Sequence, residues 1–243
     1  AFGIDLGGTT AKIGLFTTAG ALLEKWEVPT DTSNAGEHIL ENLAAAIMGK
    51  MQEKAIPAEQ VEGVGIGVPG PVLDSSVVPI VCANLGGWGQ RNVAAQLSGL
   101  LDGLKVLVGN DANVAALGEM WQGGGKGYKD LVMITLGTGV GGGVIIDEKI
   151  IAGRHGLGGE IGHIHVRDEE WEHCNCGGVG CVEQICSATG IAREARRKME
   201  ASDKPSVLRE HGGNVTAKDV LDAAKAGDEL ANEVMDVVGR YLG

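Results

Sequence analysis

The sequence predicts an α/β protein built from two domains. Short apolar runs typical of strands alternate with segments in which apolar residues recur at helical spacing, and this alternation starts again after Asn110. The chain has 243 residues, which is enough to bury a substantial core. We therefore expect a small first domain over residues 1–109 and a larger second domain over residues 110–243.

In the first domain the strands are predicted from apolar runs and the helices from apolar stripes. A cap at Asn34 is expected to begin the first helix, which ends before Pro57. The predicted elements are strands over 2–5, 11–17 and 21–28, a helix before residue 57, a strand over 61–68, a helix over 91–102 and a strand over 106–108.

The second domain is predicted to contain both strands and helices. Thr216 and Asp219 have the spacing of a capping box, which predicts that a helix starts there. The other predicted elements are a helix over 112–121, strands over 131–136 and 141–146, and a final helix over 229–242.

The net charge of −12 makes nonspecific attraction to nucleic acid or to an anionic membrane improbable. It does not exclude a phosphate site, because backbone N–H groups can hold phosphate without lysine or arginine. The chain has no run of 18 apolar residues and starts without a basic leader, so we expect a cytoplasmic protein.

Two glycine-rich turns follow predicted strands and are candidate phosphate sites. The first is Asp5-Leu6-Gly7-Gly8-Thr9-Thr10-Ala11-Lys12, where glycines allow close approach to an anion and threonines offer hydroxyl donors. Its structural alternative is a tight turn beside a buried aspartate. The second runs from Gly137 to Gly143, and two such turns facing one cleft could clamp a triphosphate.

Other nucleotide-binding signatures are absent or misleading. Residues 65–70 satisfy the G-x-G-x-x-G pattern, but Pro69 and Pro71 stand where the dinucleotide-binding fingerprint needs a helix to begin. No G-x-x-x-x-G-K-[ST] segment exists in the sequence. We therefore predict neither a Rossmann site nor a Walker-type site.

Polar residues at strand ends and in turns could bind a polyhydroxylated ligand. Asp111 lies between a strand and a helix, where it could accept a proton from an alcohol, or could simply be the N-cap of the helix. Asn84, Glu160 and His163 carry groups suited to sugar hydroxyls, although each alone would more often be structural.

The cysteine spacing predicts a metal site. Cys174-x-Cys176-x4-Cys181 with one histidine makes a Cys3His set suited to tetrahedral zinc. His163 is the preferred fourth ligand, and His165 and His173 are alternatives on spacing. Buried thiols without metal remain the structural interpretation. The other two cysteines, Cys82 and Cys186, are predicted to be core residues.

Together these segments resemble the ROK family (repressors, open reading frames and kinases), and within it the bacterial glucokinases. The resemblance covers the whole chain and is carried by D-L-G-G-T-T, N-D-A-N-V-A-A-L-G-E, L-G-T-G-V-G-G-G, G-G-E-I-G-H and C-x-C-G-x-x-G-C-x-E. It implies an actin-like ATPase (ribonuclease H-like) fold of two α/β domains around a cleft, in a homodimer or homotetramer. It also implies ATP with Mg2+ and glucose as ligands and a structural Zn2+.

The resemblance implies a role for each residue that matches a family motif. Asp111 is the implied catalytic base. The implied ATP and phosphate contacts are Asp5, Gly7, Gly8, Thr9, Thr10, Lys12, Gly137, Thr138 and Gly139. The implied sugar contacts are Asn84, Asn110, Asp111, Glu160, His163 and Glu183. The implied metal ligands are His163, Cys174, Cys176 and Cys181.

Two departures from the family pattern stand out. Relatives continue with a glycine-rich adenosine segment and a final helix, so we expect the sequence to be incomplete at its C-terminal end. The loop Leu85-Gly86-Gly87-Trp88 is one glycine longer than usual. The alternatives to a glucose kinase are a sugar-responsive transcriptional regulator, a non-catalytic sugar-binding remnant, and a kinase of mannose, fructose or N-acetylmannosamine.

Overall fold

The computed structural model describes residues 1–243, apart from the side chain of Ala83, and forms two compact units. Unit 1 comprises Ala1–Val132 and Gly143–Gly158, and unit 2 comprises Met133–Gly142 and Gly159–Gly243. Unit 1 thus extends beyond residue 109, where the sequence suggested a domain boundary. The reason is that the helix after that residue packs on the sheet of unit 1.

Unit 1 is organised around a five-stranded sheet in the order β3-β2-β1-β4-β7. The pairs β1–β2 and β2–β3 are antiparallel, whereas β1–β4 and β4–β7 are parallel. These strands match the apolar runs predicted from the sequence. Their bounds are β1 (Phe2–Leu6), β2 (Thr10–Phe16), β3 (Leu22–Pro29), β4 (Val64–Val68) and β7 (Val106–Asn110).

The core of unit 1 lies between this sheet and helices α1 (Ile39–Glu53) and α2 (Val93–Leu100). Helix α3 (Asp111–Gln122) contacts β4 and β7. The cap predicted at Asn34 is wrong. Asn34 has a φ of 48° within a short 3-10 helix, and α1 starts five residues later without a side-chain cap.

A two-stranded antiparallel ribbon of unit 1 was not predicted from the sequence. It consists of β5 (Val77–Cys82) and β6 (Trp88–Asn92). Leu85 and Trp88 are fully buried and hold its connecting loop on the core. The extra glycine is accommodated there because Gly86 and Gly87 both have positive φ, at 68° and 97°.

A second sheet has the order β10-β9-β8 and is formed by β8 (Leu131–Leu136), β9 (Val140–Ile146) and β10 (Lys149–Ile150). Strands β8 and β9 match the predicted apolar runs. The division between the two units falls within both of these strands, after Val132 and after Gly142.

Unit 2 is mainly helical and has its own core. Thr216 and Asp219 form the predicted capping box at the start of α6. The helices are α4 (Glu183–Cys186), α5 (Ala188–Ala201), α6 (Ala217–Lys225) and α7 (Glu229–Leu242). None of the described helices is both long and apolar enough to cross a membrane.

Candidate functional site

The parallel strands β1, β4 and β7 bring three candidate segments of unit 1 to one edge of the sheet. Asp5 pairs with Gly67, and Gly67 pairs with Gly109. The carboxyl ends of these strands are therefore level, and the chain leaves each at the same edge. The first glycine turn, the loop after Val68 and the start of α3 all begin there. No helix starts within the loop that contains Pro69, as expected from its prolines.

The first glycine turn connects β1 and β2 and is held by its own backbone and by Thr30. The N–H of Gly7 donates to the carbonyl of Thr10 at 3.2 Å. The hydroxyl of Thr30 donates to the carbonyl of Gly7 at 2.7 Å, and the N–H of Thr30 donates to the carbonyl of Thr9 at 2.9 Å. Thr30 belongs to no motif, so nothing in the sequence pointed to this role.

The same turn lies directly against the loop that carries Asn84. A Cβ atom on Gly8 would lie only 2.6 Å from the carbonyl oxygen of Asn84, so only glycine fits there. Beside the turn, Lys12 Nζ lies 3.7 Å from Asp5 Oδ2, and both side chains are exposed. The fold thus brings Asp5, Lys12 and Asn84 around one glycine turn.

Asp111 occupies the first turn of α3, and Asn110, not Asp111, is the N-cap of this helix. Asn110 Oδ1 accepts from the N–H of Asn113 at 3.0 Å, and its Nδ2 donates to the carbonyl of Gly70 at 3.1 Å. Asp111 Oδ1 accepts from the N–H of Ala112 at 2.8 Å. Asn110 therefore fixes both the helix start and the neighbouring loop, while Asp111 keeps access to solvent although its carboxyl group is partly desolvated.

The pKa of Asp111 is raised. Partial desolvation of the carboxyl group is the main cause, the hydrogen bond from the N–H of Ala112 opposes it, and the negative charge of Asp5 adds to it. An aspartate with a raised pKa at a strand end has the properties expected of a proton acceptor.

The second glycine turn belongs to unit 2 and is held by the junction between α4 and α5. The N–H of Gly137 donates to the carbonyl of Gly139 at 2.9 Å. The N–H of Ala188 donates to the carbonyl of Gly137 at 2.8 Å, and the hydroxyl of Thr189 donates to the carbonyl of Thr138 at 3.2 Å. Thr189 is a second supporting residue that no sequence motif indicated.

Glu183 also supports this turn. Its Oε2 accepts from the N–H of Val140 at 2.9 Å. A Cβ atom on Gly139 would collide with the same oxygen. The other carboxylate oxygen, Oε1, lies 3.8 Å from the sulfur of Cys174. Glu183 therefore contacts both the second glycine turn and the cysteine cluster of unit 2.

His163 and the three clustered cysteines come together in unit 2 as the spacing predicted. Their ligand atoms all lie within 4.8 Å of one another. His163 Nδ1 is 3.6 Å from Cys174 Sγ, and Cys176 Sγ is 3.7 Å from Cys181 Sγ. In a tetrahedral site with bonds of about 2.3 Å to sulfur and about 2.0 Å to nitrogen, two sulfur atoms lie about 3.8 Å apart, and a sulfur and a nitrogen lie about 3.5 Å apart. The group can hold a tetrahedral metal ion.

The protonation of the cysteines affects how a metal ion would bind here. Burial and the neighbouring thiols of Cys176 and Cys174 raise the pKa of Cys181 to about 12. All five cysteines are free thiols. A metal ion would have to displace these protons, so its binding is linked to pH.

The alternative histidine ligands point elsewhere. The two ring nitrogens of His165 contact the carbonyl of Val179 at 2.6 Å and Asp168 Oδ1 at 2.9 Å. His173 Nδ1 lies 3.3 Å from the carbonyl of Gly177. His163 uses Nδ1 toward the cysteines, and its Nε2 lies 3.8 Å from Glu160 Oε2. The other two cysteines, Cys82 and Cys186, are buried core residues as predicted.

Unit 1 also contains a cavity of about 900 Å³ on the sheet face beside α3. Asp5, Lys12 and Asn110 contribute to its wall, but most of the lining is glycine and apolar side chains such as Phe16 and Leu107.

Known proteins resemble this chain over its full length. The ROK family matches residues 1–243. A glucokinase of Halalkalibacterium halodurans is 41% identical over 243 residues, which cover 99% of this chain and 73% of the relative. An N-acetylmannosamine kinase of Escherichia fergusonii is 34% identical over 239 residues, covering 98% of this chain and 74% of the relative.

A solved structure also resembles this chain. The ROK family glucokinase from Streptomyces griseus, in complex with glucose and AMPPNP, superimposes with a TM-score of 0.74 and 34% identity, over 99% of this chain and 76% of that one. The chain belongs to the ROK family and has the actin-like ATPase fold.

Proposed function

We propose that the protein transfers the γ-phosphoryl group of ATP to the 6-hydroxyl of glucose, which yields glucose 6-phosphate and ADP. The observation that carries this proposal is the position of Asp111. Its carboxyl group has a raised pKa and lies at the sheet edge from which the first glycine turn also starts. The glucokinase relatives support glucose as the substrate.

Asp111 has the catalytic role in this proposal. Its carboxylate accepts the proton of the 6-hydroxyl as the sugar oxygen attacks the γ-phosphorus, and the bond to the β–γ bridging oxygen breaks to release ADP. Asn110 holds α3 and the loop at Gly70, and thereby orients Asp111. Asn84 and Asn110 are the further sugar contacts proposed in unit 1.

The first glycine turn is proposed to bind phosphate. Gly7 and Gly8 allow the backbone to approach the anion, and Thr9 and Thr10 supply hydroxyl and N–H donors. Lys12 adds a positive charge, and Asp5 lies beside it. Mg2+ accompanies ATP and neutralises developing phosphate charge in such reactions.

In unit 2 we propose that Gly137, Thr138 and Gly139 bind phosphate and that Glu160, His163 and Glu183 bind the sugar. The zinc ligands are proposed to be His163, Cys174, Cys176 and Cys181. His163 Nδ1 faces the cysteines, which leaves Nε2 to bond with a sugar hydroxyl, and a zinc ion held by these ligands would orient that imidazole ring. Assembly into a homodimer or homotetramer stays a prediction.

N-acetylmannosamine is the second candidate substrate, because a kinase of that sugar is 34% identical to this chain.

The test is release of ADP by the purified chain with glucose, mannose, fructose or N-acetylmannosamine. We expect the highest kcat/KM with glucose. A higher value with another sugar would contradict glucose specificity. Glucose binding without ADP release would support a non-catalytic protein, and specific nanomolar DNA binding at physiological salt would support a regulator.

Replacing Asp111 with asparagine is expected to lower kcat by at least about 100-fold, because the amide cannot accept the hydroxyl proton. The unfolding temperature at pH 7 should not fall, since the change removes a partly desolvated negative charge close to Asp5. Steady-state kinetics and thermal unfolding measure the two effects.

The matched control is Asp203→Asn, at an exposed aspartate, which should leave kcat unchanged. Turnover of D111N within about tenfold of the wild type would show that Asp111 is not the base.

The base works deprotonated, so wild-type kcat should fall as the pH drops through the pKa of Asp111. Because that pKa is raised, the fall should begin above the range of an ordinary aspartate, about pH 4.

Replacing Gly139 with alanine is expected to displace Glu183 or the second glycine turn, because the added Cβ collides with Glu183 Oε2. We expect the KM for ATP to rise about tenfold, which corresponds to about 1.4 kcal/mol. The control is Gly239→Ala in α7, where an added Cβ meets nothing within 4 Å. An unchanged KM for ATP in G139A would argue against a phosphate-binding role for this turn.

The metal proposal predicts one zinc ion per chain, measured by elemental analysis of purified protein. The double variant C174S/C176S should lose the zinc, because serine is a poor zinc ligand at neutral pH. Cys82→Ser, a change at a core cysteine outside the cluster, should keep it. A full equivalent of zinc in C174S/C176S would contradict the ligand set.

A further inference from the structure

The segment between the metal ligands His163 and Cys174 is attached to helix α5 through a buried carboxylate, that of Glu170. This side chain is 0% exposed. It accepts from Arg193 at 2.8 Å and from both terminal nitrogens of Arg197, at 3.0 and 2.8 Å. The backbone N–H groups of Trp171 and Glu172 donate to it at 3.2 Å. Both carboxylate oxygens of Glu170 therefore accept hydrogen bonds.

The electrostatics agree with these contacts. The hydrogen bonds from Arg197 are the main cause that lowers the pKa of Glu170 to about 2, and they outweigh its desolvation. Arg197 also lies over the ring of Trp171, 5.1 Å from the ring centre. A carboxylate held in this way stays charged and gives the segment one preferred position on the helix.

The same contacts continue to a metal ligand through Gln184. Arg193 also donates to Glu172 Oε2 at 2.8 Å and to the carbonyl of Gln184 at 2.7 Å. The side chain of Gln184 donates to the carbonyl of Glu172 at 2.8 Å and accepts from the N–H of Cys181 at 3.1 Å. We call these five residues, Glu170, Glu172, Gln184, Arg193 and Arg197, the Glu170 network.

We propose that Glu170 is a positioning residue for the metal site, which holds Cys174 and Cys181 at coordination distance through the Glu170 network. The inference rests on the proposed metal site. Preorganised ligands bind a metal more tightly and release it more slowly, and residues that orient ligands typically change metal affinity by about 10- to 100-fold. Helix α4 begins at Glu183, so the network also fixes the residue that supports the second glycine turn.

A neighbouring ion pair offers a control for a purely structural role. Arg167 bonds to both oxygens of Glu194 on α5, at 2.7 and 3.1 Å, and both side chains are largely buried. This pair attaches the same segment to the same helix. Glu194 Oε1 also accepts a longer hydrogen bond from Arg197, at 3.4 Å, so the pair touches the Glu170 network only at its edge. Neither side chain of the pair bonds to Gln184 or to the N–H of Cys181, so its loss should weaken the fold and loosen the cysteines less than the loss of Glu170.

The test is the rate at which zinc-loaded protein releases zinc to a chromophoric chelator. Glu170→Gln should release zinc at least about tenfold faster than the wild type. Glu169→Gln, at the exposed neighbour, should leave the rate unchanged. Glu194→Gln should lower the unfolding temperature and change the release rate by less than about threefold.

Two results would overturn this inference and leave the metal proposal intact. In the first, the wild type contains zinc and E170Q releases it at the wild-type rate. In the second, E194Q releases zinc as fast as E170Q does. Wild-type protein without zinc would overturn the metal proposal and this inference with it. If E170Q does not fold, Arg197→Lys takes its place, because lysine keeps the charge and loses the two-pronged hydrogen bonds. It should accelerate release at least about fivefold, more than E194Q does, and an unchanged rate in R197K would also overturn the inference.

Discussion

The parallel pairing of β1, β4 and β7 is the constraint on which the candidate site of unit 1 depends. Because the three strands end level with one another, the first glycine turn, the loop at Gly70 and the start of α3 leave the sheet at the same edge. Asn110 then joins two of these segments with one side chain, since it caps α3 and holds the carbonyl of Gly70. The environment of Asp111 follows from this arrangement, and so does its raised pKa.

In both glycine turns, the backbone packs closely against a neighbouring oxygen atom. Gly8 packs against the carbonyl of Asn84, and Gly139 packs against the carboxylate of Glu183. In both turns a threonine outside the motif holds a carbonyl of the turn, Thr30 in unit 1 and Thr189 in unit 2. A turn held at its carbonyls can direct its N–H groups toward an anion, which is the chemistry proposed for both.

In unit 2 the proposed metal ligands lie in a segment with little regular structure, and charged side chains attach this segment to the neighbouring helix. The Glu170 network attaches the segment to α5 and reaches Cys181 through Gln184. A buried carboxylate is costly unless every oxygen is bonded, and here two arginines and two N–H groups meet that condition. The proposed zinc site and the proposed sugar contact His163 thus share one support.

Sequence patterns were enough to predict the local features: the strands of the main sheet, the two glycine turns, the capping box at Thr216 and the grouping of three cysteines with one histidine. These follow from periodicity, turn chemistry and ligand spacing, which act over a few residues. The folded structure was needed to show which histidine faces the cysteines, that Asn110 and not Asp111 caps α3, and that residues 110–132 pack with unit 1. It also revealed the β5–β6 ribbon, the supporting roles of Thr30 and Thr189, and the Glu170 network. Each of these depends on contacts between residues far apart along the chain, whose pairing no local pattern specifies.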